Sequence, residues 1–205
     1  MKTYTFEQWH NGYCLYLCTL AVGDYFGKSV ALNDKVLGLD ATHWTWPATA
    51  AVALANTGLF VSVYDTDISY SDFVKDPFGW VMQKYGKAGI DHIESHFNFD
   101  MAVDDSKIAL SKKNVIFENK SLTFAEIYTQ ADDTNKVLIL CLNYATIFGT
   151  DHGRMGHYFL VKGTNNGSLV ITEPLHASDV ILSKELFRQG EEDLDNEVQH
   201  FIIRR

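Results

Sequence analysis

At Lys136 the chain changes character, and this change is the strongest constraint on its fold. Beyond it come four short apolar runs: Val137–Tyr144 (VLILCLNY), His157–Lys162 (HYFLVK), Ser168–Thr172 (SLVIT) and Phe201–Arg205 (FIIRR). Each has the length and the β-branched and aromatic content of a strand. Asn165-Asn166-Gly167 is a turn signal between the second and third runs, so those two are expected to form an antiparallel hairpin. Ahead of Lys136 most segments read as helices. Tyr13–Phe26 is apolar almost all round and stops at Gly27, as a buried helix would. Trp46-Pro47, Ala48–Asn56 and Gly58 describe a second helix, with proline in its first turn and glycine past its end. Leu59–Tyr64 is a short strand candidate, and Ser71–Tyr85 is helical with a break or restart at Pro77. Asp91–Asn98 and Ala102–Ser111 suggest two shorter helices, and Thr123 with Glu126 can cap another. Helices followed by a block of strands argue for an α+β fold rather than an alternating α/β one. Ser29–Glu118 is the least informative stretch.

Composition narrows the class. The chain has 205 residues, 46% hydrophobic and 21% charged, and one domain over residues 1–205 is the default. Seventeen basic against 26 acidic residues give a net charge of −9 without a dense Lys/Arg cluster. Nucleic acid and anionic membrane are therefore not expected as partners. No apolar run approaches the ~20 residues that cross a bilayer. Met1–Gln8 lacks the apolar stretch of a signal peptide, which favours a cytoplasmic location. The three cysteines, Cys14, Cys18 and Cys141, make no disulfide framework, and no second Cys pair exists to build a zinc site.

The remaining question is whether one thiol is a nucleophile. Cys14 falls at the expected start of the first helix, where unpaired N–H groups and the dipole favour thiolate. A catalytic thiolate also needs a histidine as proton carrier and a third group to orient it. His157, opening a strand after Gly156, can be the first, and Glu173, in Thr172-Glu173-Pro174 at the end of the next strand, the second. Across a tight hairpin these positions are neighbours. The alternative for Cys14 is an ordinary buried small hydrophobe. Cys18 and Cys141 read as core.

The pattern Gln8-x5-Cys14, with Cys18 one helical turn on, then Gly156-His157-Tyr158-Phe159-Leu160-Val161 and Thr172-Glu173-Pro174, resembles the papain-like cysteine peptidases. It is most similar to the bacteriocin-processing (double-glycine leader) peptidases and their stand-alone relatives. The resemblance implies a papain-like fold, with a helical N-terminal part carrying the Cys and a C-terminal antiparallel sheet. It also implies Cys14 as nucleophile, His157 as general base and acid, Glu173 in the place of the family's Asp, and Gln8 in the oxyanion hole. The expected activity is a peptidase or amidase working through an acyl-enzyme thioester on a peptide or small amide or acyl substrate. No metal or organic cofactor is called for. Two other readings stand beside it. An amine acceptor would make the protein an acyltransferase or peptide ligase. The bulky Tyr13, Leu15 and Tyr16 around the Cys would suit a binding module of the same fold.

Other signals carry less. His92 and His96 share a helical face, which is more simply a solvated face than a metal site. Trp44, Trp46 and Trp80, with His43, suit a core better than a substrate groove. His152, in the loop GTDHGRMG, competes with His157 as base but is less firmly positioned. Glu191–Asp195 reads as a solvated acidic loop.

Overall fold

The computed structural model describes residues 1–6, 13–31, 45–151 and 153–205, apart from the side chain of His96. Helix α1 (Cys14–Tyr25) is apolar all round because it is covered on most sides, with Leu15, Leu17, Cys18, Ala21 and Val22 buried. It ends where Gly27 takes a left-handed φ of 65°, and the N–H groups of Gly27 and Lys28 turn back onto Asp24 and Gly23. Helix α2 (Pro47–Asn56) begins with proline, whose missing N–H costs nothing there, and Gly58 (φ 87°) turns the chain into β1 (Phe60–Asp65). A short α3 (Tyr70–Phe73) precedes α4 (Pro77–His96). The α4 span is two helical pieces meeting at Gly86 (φ 67°, ψ −166°), and its second piece absorbs most of the expected helix over Asp91–Asn98. Asn98 caps α5 (Phe99–Ser111), β2 is Val115–Glu118, and Thr123 with Glu126 forms a reciprocal capping box on α6 (Phe124–Gln130).

Beyond Lys136 come β3 (Lys136–Asn143), α7 (Tyr144–Phe148), β4 (Gly156–Asn165), β5 (Ser168–Glu173), β6 (Ser178–Leu182), α8 (Lys184–Glu192) and β7 (Gln199–Arg204). The strands form one sheet in the order β2-β1-β7-β3-β4-β5-β6, antiparallel throughout except for β1 and β2. The fold is thus α+β, as the segregated pattern implies. The C-terminal antiparallel sheet needs correction: β1 and β2, from the helical half, complete it, and β7 is inserted between β1 and β3. This long-range pairing leaves no local trace in sequence. Val137, Ile139, Leu160, Phe201 and Ile203 pack toward α1, α2 and α5. The alternate residues Leu138, Leu140, Leu142, Phe159 and Ile202 pack against Ile127 of α6 and Phe187 of α8. Coverage on both faces explains why β3 is a continuous apolar run rather than an alternating one.

Two further readings change. Tyr144 is not the end of β3, because the Asn143 side chain accepts from the N–H groups of Ala145 and Thr146 and starts α7. Glu191–Asp195 is no mere solvated loop. Glu191 and Glu192 close α8, Leu194 is buried, and Glu191 accepts hydrogen bonds from Ser121 and His200. Trp46 lies in an aromatic core with Tyr70, Phe73 and Phe97, as expected. Among the described residues no helix is long and apolar enough to cross a membrane.

The β4–β5 hairpin closes through a two-residue loop, Asn166 (φ 48°) and Gly167 (φ 82°), with Asn165 facing Ser168. Positive φ at both positions is the type I′ turn that suits the twist of a hairpin. Gly167→Val forces a β-branched residue into left-handed backbone and should destabilise the protein by roughly 1–2 kcal/mol. Urea denaturation checks this, and a variant as stable as wild type would show that the turn does not govern the hairpin.

Candidate active site

Cys14 is the first residue of α1, and the side chain of the N-cap residue Tyr13 makes no capping hydrogen bond. The first bond within the helix runs from Leu17 N–H to Tyr13 O at 2.9 Å, so the N–H groups ahead of it have no acceptor inside the helix. The bulky neighbours are packed into the core. Tyr13, Leu15 and Tyr16 are buried, and the rings of Tyr13 and Tyr16 meet edge to face at 6.1 Å in a cluster with Leu17 and Ala53. Cys14 itself is half-buried.

Helix α1 lies against β4 where that strand has lost its neighbour. The β4–β5 ladder reaches only to Leu160 opposite Thr172, and Pro174 then follows Glu173 without an N–H to offer. The backbone of Tyr158 turns to the helix instead. Its N–H donates to Cys14 Sγ, and its C=O accepts from the Cys18 thiol at 3.7 Å. Cys14 and Cys18, one turn apart, thus dock α1 on the strand that carries His157.

His157 Nε2 donates to Glu173 Oε1 at 2.6 Å. An ionised carboxylate only accepts, so the hydrogen sits on Nε2 and Nδ1 is the nitrogen left for Cys14, to which the His157 side chain is hydrogen-bonded. The His157 side chain is 7% exposed, and its imidazole is held edge-on by Tyr144 at 5.1 Å and Phe159 at 5.0 Å. Glu173 is fully buried and also accepts from Leu175 N–H at 2.9 Å, His176 N–H at 2.7 Å and His176 Nδ1 at 3.0 Å.

The electrostatics follow from this geometry. Burial opposes ionisation of Cys14, but the charge and hydrogen bond of His157, with the N–H groups of Tyr158 and Leu15, bring its thiol below the usual value. Burial likewise opposes a charged His157; Cys14 and Glu173 overcome it and raise the imidazole to about 9. Burial would push Glu173 up, yet the hydrogen bond and charge of His157 and the two backbone donors hold it at about 2. At neutral pH His157 is therefore charged and Glu173 ionised, and the charged imidazole favours the thiolate form of Cys14. Burial, with the nearby Cys14 charge, pushes Cys18 well up and raises Cys141 to about 12.

Three of the four expected site residues, Cys14, His157 and Glu173, come together. Gln8 lies outside the described residues, as do His43, Trp44 and the competing base His152. Cys18 and Cys141 are buried, as read. Two participants were not found from sequence. Tyr158 acts through its backbone, which leaves no residue-type signal, and His176 was visible only as the histidine three positions after Glu173. No family model matches the chain, and no curated protein matches it.

The ion pair should appear in the pH dependence of stability. Glu173, at about 2 when folded, titrates near ~4.3 unfolded, so its contribution is complete above that value and lost as pH falls toward 2. His157, at about 9 when folded, titrates near ~6.5 unfolded, so its contribution is complete below that value and lost as pH rises through 9. Both are complete together only between roughly pH 4.5 and 6.5. The stability gap between wild type and Glu173→Gln should peak in that window and narrow at about pH 3 and about pH 9. Urea midpoints at three pH values test it, and a gap independent of pH would argue against the ion pair.

Proposed function

We propose that the protein is a cysteine-dependent hydrolase of the papain-like kind, a peptidase or amidase working through a thioester on Cys14. The observation that carries this reading is the ordered line Cys14–His157–Glu173 at the unpaired end of a helix. The Cys14 thiolate attacks the substrate carbonyl carbon, and the Cys14 N–H supports the oxyanion with the Gln8 amide as second donor. Collapse of the tetrahedral adduct breaks the bond to the leaving group, which takes its proton from His157. Water then gives a proton to His157 and attacks the thioester. The acid is released and Cys14 returns as thiolate. Glu173 keeps the Nε2–H in place throughout and takes no proton.

The inward packing of Tyr13, Leu15 and Tyr16 supports catalysis over a binding role, because the thiol is left half-buried rather than covered. The resemblance to bacteriocin-processing peptidases makes peptides the first substrates to try, and small amides or thioesters the next. An amine in place of water would use the same residues and give transfer or ligation; products formed with and without added amine separate the two.

Alkylation by iodoacetamide at pH 6 tests the thiolate directly. Cys14 should react roughly tenfold to a hundredfold faster than Cys18 or Cys141, since an ordinary thiol with a value of ~8.5 is scarcely ionised there. Fast labelling should vanish in Cys14→Ala, persist in Cys18→Ala and Cys141→Ala, and slow to the ordinary rate in His157→Ala. A Cys14 that labels no faster than a free thiol would overturn the reading.

A further inference from the structure

Glu173 is held in a way that its role as partner of His157 alone does not require. A carboxylate has about four lone-pair positions, and in this fully buried side chain all are taken. Oε1 accepts from His157 Nε2 at 2.6 Å and Leu175 N–H at 2.9 Å, and Oε2 accepts from His176 N–H at 2.7 Å and His176 Nδ1 at 3.0 Å. Two of the four donors belong to His176, on the oxygen turned away from His157. Its ring is 66% exposed, so core packing does not explain its place; its contact with the buried oxygen does. A glutamate has one more side-chain torsion than an aspartate, and its terminal torsion is broad. The two backbone donors hold the carboxylate to the Glu173–His176 turn, and the imidazole adds a side-chain donor that opposes rotation about that torsion.

We infer that His176 is a positioning residue for the Cys14 chemistry, holding Oε2 of Glu173 so that Oε1 stays aimed at Nε2 of His157. This rests on the proposed function, since it assigns a task to a residue of that same site. Because the carboxylate accepts only, Nδ1 of His176 carries the hydrogen it donates. Asparagine keeps an N–H donor at nearly the position of Nδ1, whereas alanine removes it and leaves the backbone bond intact.

The experiment measures Cys14 alkylation by iodoacetamide at pH 6 and pH 9 in wild type, His176→Ala and His176→Asn. At pH 6 the thiolate depends on the imidazolium, and the imidazolium on a well-aimed Glu173. At pH 9 even an unassisted thiol is largely ionised. His176→Ala should lose about threefold to tenfold in rate at pH 6 and stay within about twofold at pH 9, and His176→Asn should recover the pH 6 rate. Equal slowing at both pH values would mean general distortion of the site and overturn the inference. So would an alanine variant with the wild-type rate at pH 6, or an asparagine variant as slow as alanine. A wild-type Cys14 that is slow at pH 6 overturns the proposed function and this inference with it. A fast wild type with an unaffected His176→Ala overturns the inference alone.

Discussion

A carboxylate with no exposed surface cannot stand alone in a protein, and Glu173 is such a group. Removing an isolated charge from water costs several kcal/mol even after relaxation, so a fold that buries Glu173 must supply its donors. It supplies four, and one is His157 Nε2. That bond fixes the histidine tautomer, leaves Nδ1 for Cys14, and keeps positive charge beside the thiol. The direction in which His157 faces follows from satisfying one buried acid.

The sheet makes room for this arrangement by ending a ladder early. β4 runs past the end of β5 because Pro174 cannot extend the pairing. The exposed backbone of Tyr158 needs partners, and α1 provides them through Cys14 and Cys18. An unpaired strand segment and a helix N-terminus without a cap from Tyr13 meet at a single residue. Either would be a defect by itself; together they place two N–H groups, from Tyr158 and Leu15, on one sulfur.

What the sequence revealed was local. The hairpin was readable because Asn166 and Gly167 tolerate positive φ and the strands flanking them are apolar. Cys14, His157 and Glu173 were readable because a helix start and two hairpin ends lie next to recognisable residue types. What stayed hidden was long-range or carried by few residues. β7 enters between β1 and β3 with partners far away in sequence. β2 and β6 are short edge strands, with Ile116 and Ile181 exposed. α7 is set by one Asn143 side chain at the end of an apolar run. His176 was passed over because nothing in Glu173-Pro174-Leu175-His176 shows that a ring largely in solvent reaches back to a buried oxygen.

A second buried histidine, His200, paired with the half-buried Glu191 of α8, shows what separates the candidate site from a strut. His200 is fully buried on β7; its Nδ1 accepts from Cys141 N–H at 3.2 Å, and its Nε2 donates to Glu191 Oε1 at 2.9 Å. Glu191 Oε1 also accepts from Ser121 Oγ at 2.6 Å. The residue types match those around His157, and even a hydroxyl is present. Yet both nitrogens of His200 are bonded to the scaffold, and the serine hydrogen points at the carboxylate rather than at the ring. His200 joins β7, β3 and α8 where the β3–β7 ladder has ended at Ile139 opposite Phe201, and it has no nitrogen to spare for a reacting group. In His157 one nitrogen is bound to the frame and the other faces a half-buried thiol at the end of a helix. That asymmetry is what the proposed function asks of His157, since a general acid–base must lie within hydrogen-bond reach of the reacting atom.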